Sequence, residues 1–335
     1  MKAYQLVLAA DKKAIAPEIE GIVATLLDIH QTASFTATED PERPECPHSL
    51  NLHYLQELQR RSRDFDMIVH DFSRDKDSAS LPMVMGPAEP DRPITRSIGR
   101  KMAIPEWASR FHVRKACSSS ALANSCQIIH GPTEREEESL RSKSAARAIV
   151  YDWNVTGPSA DYGPYQKDGS GVVNWQTVEA ISSLMYRIFN TALKSYGLRP
   201  SGFDINVHNK QPLDPVIPHD WAGVTGTWVG TYAFLDYRAL VHYNFAHTLE
   251  YPLDLGNYEE ACGDLMRLDL TLDDSDEIKQ DPRLQSDLPR CDDLPVLYFN
   301  GTSTRQPTER PTIGVRGSVC LAPGGREVRW RLVIR

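Results

Sequence analysis

From Gly226 to the end, the chain reads as a succession of short alternating segments, and this pattern constrains the fold more than any other feature. Trp228, Gly230 and Tyr232 fall on one side of an extended segment, with Thr227, Val229 and Thr231 on the other. That is the period-2 signature of a strand facing two different environments. After Leu235-Asp236, which fits a turn, Ala239, Val241, Tyr243 and Phe245 share a side and predict a second strand. Met266, Leu268, Leu270 and Leu272 alternate with Arg267, Asp269 and Thr271, and Val296–Phe299 is a short apolar strand. Ile313–Leu321 and Val328–Ile334 alternate again across the Pro323-Gly324-Gly325 hairpin turn. Antiparallel strands in this order predict a barrel or a strongly curled sheet with one apolar face. Arg335 is the last residue and lies within the final strand, so we expect a truncated version of something longer, with closing strands beyond.

The amino-terminal part follows helical rather than alternating periods. Ile15, Ile19, Ile22, Val23, Leu26, Leu27 and Ile29 form one apolar stripe, with Pro17 admissible in a first turn. Leu52, Leu55, Leu58, Phe65, Ile68, Val69 and Phe72 form another, as a helix pair with Ser49 at its start. Prolines 82, 87, 90, 93 and 105 break residues 73–105 into a linker, and order resumes near Trp107 and Phe111. The segment from Glu134 to Tyr151 reads as an amphipathic helix. Asp161–Trp175 reads as a structured loop anchored by Tyr162, Tyr165 and Trp175, and Thr177–Leu193 as a helix ended by Gly197 and Pro200. The chain thus divides into a helical segment (1–75), a Pro-rich linker and irregular region (76–133), a helical segment with a structured loop (134–222) and a barrel-like, calycin-like antiparallel sheet (223–335). The class is α+β.

A net charge of −8 argues against a nucleic-acid or anionic-membrane role, since both need a dense positive surface. No apolar run reaches the length of a membrane span or a signal peptide. The six scattered cysteines lack any CxxC and read as reduced thiols in a cytoplasmic or nuclear protein.

Each motif that could carry chemistry lacks a necessary part. Gly226-Thr227-Trp228-Val229-Gly230 opens a strand, not a helix, and is no dinucleotide loop. Asp168-Gly169-Ser170-Gly171 lacks the glycine two positions before serine that a nucleophile elbow requires, and reads as a tight turn. His242 and His247 are too widely spaced for a helical zinc motif, and His208 and His219 sit among Pro212, Pro215 and Pro218 in an extended loop, so both pairs read as ordinary surface or hydrogen-bonded histidines. The acidic run of Asp273, Asp274, Asp276 and Glu277 matches no calcium loop and reads as a solvated charged loop. Cys117 lies beside Arg114 and Lys115 but has no base near it in sequence. We therefore expect no catalytic, metal or cofactor site and a non-catalytic protein.

Three segments, Tyr151–Trp175, Thr225–Asn244 and Leu297–Trp330, together resemble the carboxy-terminal region of fungal F-box proteins. The Tyr-Gly-Pro-aromatic, Asp-Gly-Ser-Gly and Asn-Trp elements precede the Trp-x-Gly-x-Tyr strand in the order of that family. The resemblance implies the substrate-recognition part of a ubiquitin ligase subunit, binding protein partners. A Leu-Pro entry into an F-box is not evident near the amino terminus, so a Skp-type adaptor is implied only for a longer product that carries one. An alternative rests on Gly226-Thr227-Trp228, which resembles the first strand of lipocalin-type barrels that hold a small apolar ligand. Under either reading Trp228, Tyr232 and Tyr237 are the candidate barrel-floor or recognition positions.

Overall fold

A computed structural model of the chain describes residues 18–32, 106–116, 146–196, 219–230, 233–245, 260–262, 265–306 and 313–334. The expected helix pair at 52–72, the linker and Cys117 lie outside the described residues, as do His208, His247 and Tyr232. The described part is α+β: helices together with a five-stranded antiparallel sheet.

The helical stripes read from sequence become packing faces. Helix α1 (Ile19–Thr32) buries Ile22, Val23, Leu26 and Leu27 and packs on α2 (Glu106–Ala116). A helical turn at 146–150 runs into the short helix α3 (Trp153–Thr156), which Asp152 caps by accepting the Asn154 N–H. The longest helix, α4 (Trp175–Tyr196), starts where Asn174 Oδ1 accepts the Thr177 N–H at 3.2 Å, and it packs on α2. Ala146 and Val150 meet Ala180 and Leu184 in a small apolar core between these elements.

Strand β1 (Gly226–Gly230) forms as expected, but the expected second strand does not. Strand β2 (Ala233–Phe234) leaves the main sheet, and Tyr237–Phe245 forms helix α5 instead of a strand. The alternation of Ala239, Val241, Tyr243 and Phe245 does not decide the structure, because Ala239, Leu240 and Tyr243 also share a helical face, the one that packs on Tyr151. Asp236 settles the local structure: its carboxylate accepts the Ala239 N–H at 2.7 Å, and its carbonyl accepts the Leu240 N–H. Strand β2 pairs only with β3 (Ala261–Cys262). The partner of β1 is β4 (Leu265–Leu272), so no β1–β2 hairpin opens the sheet.

After β4 the acidic run folds into α6 (Asp276–Lys279), followed by a 3-10 turn at Pro282–Leu284. Strands β5 (Leu297–Gln306), β6 (Ile313–Leu321) and β7 (Val328–Ile334) complete the order β1-β4-β5-β6-β7. Strand β5 is longer than the apolar Val296–Phe299 run, because the polar Asn300–Gln306 stretch is also paired. The β6–β7 turn needs its two glycines, with φ of 91° at Gly324 and 67° at Gly325.

The sheet is open. Among the described residues no ladder joins β1 to β7, so the barrel-like part of the expectation is not supported. It is nonetheless strongly curled. Four strand spacings of about 4.8 Å would separate β1 from β7 by about 19 Å if the sheet were flat. Yet the rings of Trp228 on β1 and Trp330 on β7 lie 5.1 Å apart, edge to face. The concave face carries Leu270, Leu297, Phe299, Val315 and Val319, with Val224 from the segment before β1 packed into them. Gly317 keeps the ring of Phe299 in place, since an added Cβ would overlap it.

Candidate recognition surface

The two faces of the sheet differ in chemistry because register sorts the side chains. Residues paired across the ladder share a face, so Trp228, Leu268, Leu270, Leu272, Phe299, Val315, Val319, Trp330, Leu332 and Ile334 line the concave side. Thr227, Arg267, Asp269, Asn300, Arg316, Ser318, Cys320, Arg329 and Arg331 line the other.

A polar layer covers the convex face. Arg331 donates to the Arg283 carbonyl at 2.8 Å and pairs with Asp161 at 3.1 Å. Arg329 donates to the Leu288 and Pro289 carbonyls and lies over the Tyr165 ring, 5.7 Å from its centroid. Burial pushes the Tyr165 phenol above its ordinary range, against the opposing pull of Arg329. The 161–175 loop is therefore a clamp across β7. Its sharp entry has Asp161 and Tyr162 in left-handed backbone, at φ of 50° and 55°. Ser170 caps the Asp168–Gly171 turn in the expected way, donating its N–H to Asp168 Oδ1 at 2.9 Å and accepting the Val172 N–H.

The acidic run is largely solvated, as expected, with Asp274, Asp276 and Glu277 exposed, and Asp273 is its one half-buried member. Asp273 accepts the Ser275 N–H and the Asn300 side-chain amide, tying the turn to β5, and Glu277 pairs with Arg316 at 2.7 Å. Hydrogen bonds from the Ser275 N–H and hydroxyl, then from Asn300, hold the Asp273 carboxyl below the usual carboxylate range.

The concave face is covered at its centre and open at its rim. Val224 is fully buried, and the buried Asp220 carboxylate holds its segment by accepting the Val224 and Thr225 N–H groups at 2.8 Å each. Toward the edges Trp228 is 41% exposed, Leu332 45% and Ile334 66%. Trp228 is held, not free, because its indole N–H donates to the Val224 carbonyl at 2.9 Å.

Of the three candidate positions, the two described, Trp228 and Tyr237, lie on different elements. Trp228 lies on the concave rim, where it meets Trp330 instead of closing a barrel floor. Tyr237 is the first residue of α5, 75% exposed and on a different element. Tyr232 lies outside the described residues. The rim residues Trp330, Leu332 and Ile334 were visible in sequence only as an alternating strand. Their exposure comes from β7 having no partner on its outer side among the described residues.

Elsewhere a cavity of about 410 Å³ opens between α3, the start of α4 and α5, bordered by Asp152, Asn154, Lys167, Asn174, Gln176 and Tyr243. Asp152, Asn174 and Tyr243 spend hydrogen bonds on the Asn154, Thr177 and Ala148 backbones. Below it Arg147, fully buried, forms a two-pronged pair with Glu260 at 2.6 and 2.8 Å. No group of three or more His, Cys, Asp or Glu among the described residues is arranged to hold a metal ion. No helix among them is long and apolar enough to cross a membrane.

Set beside family models, curated proteins and solved structures, the chain has no significant match. What defines it is its own architecture: a helical part joined to a curled, open antiparallel sheet with an apolar concave rim.

Proposed function

We propose that this chain is the substrate-recognition part of an F-box-type ubiquitin ligase subunit, a non-catalytic protein-binding module acting in the cytoplasm or nucleus. The observation that carries the recognition role is the rim of the concave face. Trp228, Leu332 and Ile334 stay exposed beside the buried Phe299–Val319 core, on a sheet anchored from behind by the 161–175 clamp. Tryptophan is enriched among the hot spots of protein interfaces, and exposed apolar patches mark interaction sites. The ligase assignment rests on the likeness of Tyr151–Trp175, Thr225–Asn244 and Leu297–Trp330 to fungal F-box proteins.

The test is capture of a Skp-type adaptor from a fungal extract by the chain and by any longer product of the same gene. Adaptor binding by the longer product is expected. Absence of binding by both sinks the ligase reading. A small apolar ligand inside a closed barrel gains no support: among the described residues the strands do not close, and Val224, Phe299 and Val319 fill the centre of the concave face.

A further inference from the structure

The cavity between α3, the start of α4 and α5 holds about 410 Å³, within the range of small-molecule sites, about 300–1,000 Å³. Ala148, Ile149 and Val155 give it an apolar lining. Asp152 and Lys167 are the charged residues that border it among the described residues, one of each sign.

Three polar groups of this lining are unspent. Asp152 Oδ1 accepts the Asn154 N–H at 2.8 Å and the Asn154 side-chain amide at 2.9 Å, which leaves Oδ2 without a partner among the described residues. Lys167 is exposed, and its ammonium makes no hydrogen bond or ion pair among them. Thr177 is only 1% exposed. Its backbone N–H goes to Asn174 Oδ1, but its hydroxyl has no hydrogen-bond partner among the described residues. The unpartnered polar atoms sealed from solvent there are Arg110 Nε and Arg329 Nη1, so the Thr177 hydroxyl opens onto the cavity it borders. A buried hydroxyl in that position is satisfied only by what fills the cavity.

We infer that this cavity binds a small zwitterion, an α-amino acid with an aliphatic side chain. The ligand's ammonium donates to Asp152 Oδ2. Its carboxylate accepts from the Lys167 ammonium and the Thr177 hydroxyl, and its side chain lies against Ala148, Ile149 and Val155. The pair of opposite charges selects this class. A simple anion would face the Asp152 carboxylate, and a simple cation the Lys167 ammonium. A neutral polyol could satisfy the hydroxyl but would leave both charges unmatched, and charge-assisted hydrogen bonds are about twice as strong as neutral ones. The site goes beyond the proposed protein-recognition role and does not depend on it. Lys167 and Asn174 belong to the 161–175 clamp, so a bound ligand would tie the clamp to α3.

The test titrates L-leucine into the 335-residue chain by isothermal calorimetry, with saturation-transfer NMR of the leucine methyls alongside. Saturable binding of one leucine per chain is expected. Affinity should fall by about tenfold or more for N-acetyl-leucine, which lacks the ammonium, and for leucinamide, which lacks the carboxylate. It should fall similarly in Lys167→Met, a change at an exposed position, and in Thr177→Val, which keeps the side-chain shape and removes the hydroxyl. Circular dichroism of both variants should stay unchanged. No leucine binding to the native chain overturns the inference. So does equal binding of either blocked analogue, affinity unchanged in a folded Lys167→Met or Thr177→Val variant, or displacement of leucine by an equal concentration of glycerol.

Discussion

At the scale of single residues, the structure turns on a few polar groups taken out of water and matched. Arg147 is fully buried, and its pairing with Glu260 joins the turn at 146–150 to the segment before β3. Removing one partner leaves the other charge buried, which costs about 3–5 kcal/mol, whereas replacing both with apolar residues is close to neutral. Arg147→Met is expected to destabilise in urea by about that amount, and Arg147→Met with Glu260→Leu to recover most of it. Additive losses would show that the pair is not what matters. Asp273 sets an acid limit. Its folded pKa is depressed by the Ser275 and Asn300 hydrogen bonds. Its contribution is therefore complete above the unfolded value, about 3.9, and is lost as pH falls through the lower folded value. Urea midpoints measured from about pH 5 down to pH 2 should fall more steeply for the native chain than for Asp273→Asn. Parallel slopes would remove Asp273 from the acid limb. Neither pairing was legible in the sequence: Arg147 and Glu260 stand far apart along the chain, and Asp273 looked like one charge in a solvated run.

At the scale of elements, legibility tracked the clarity of the period. Helices α1 and α4 emerged where the 3.6-residue stripes lay, and β4, β6 and β7 where apolar and polar residues strictly alternate. The Tyr237–Phe245 segment lacks that clarity. It is apolar at both spacings, and the deciding group was Asp236, a cap whose effect depends on where its carboxylate points. Strand β5 was cut short for the opposite reason, since pairing with both β4 and β6 carries its polar half. The start of α4 tests this kind of local control. Asn174 satisfies the Thr177 N–H, and Asn174→Ala should cost about 1 kcal/mol in thermal or urea unfolding. Unchanged stability would mean that tertiary contacts of Trp175 and Thr177, and not the cap, set where α4 begins.

At the scale of the whole molecule, the sequence pointed to a two-faced antiparallel sheet but not to whether it closes. Alternation reports which side of a strand is apolar and is silent on which strands are neighbours, so β1 was expected to begin a hairpin with the segment after it. In the structure β1 crosses to β4, the sheet curls until Trp228 meets Trp330, and no strand among the described residues pairs with the outer side of β7. The candidate site changed accordingly, from a barrel floor at Trp228, Tyr232 and Tyr237 to a rim at Trp228, Leu332 and Ile334. That rim and its edge are the core of the account, and hydrogen exchange reads them directly. Outward-facing amides of β7 should exchange rapidly in the free chain, far faster than those of β5, which is paired on both sides. Slow exchange of every β7 amide in the free chain would contradict an exposed rim at β7.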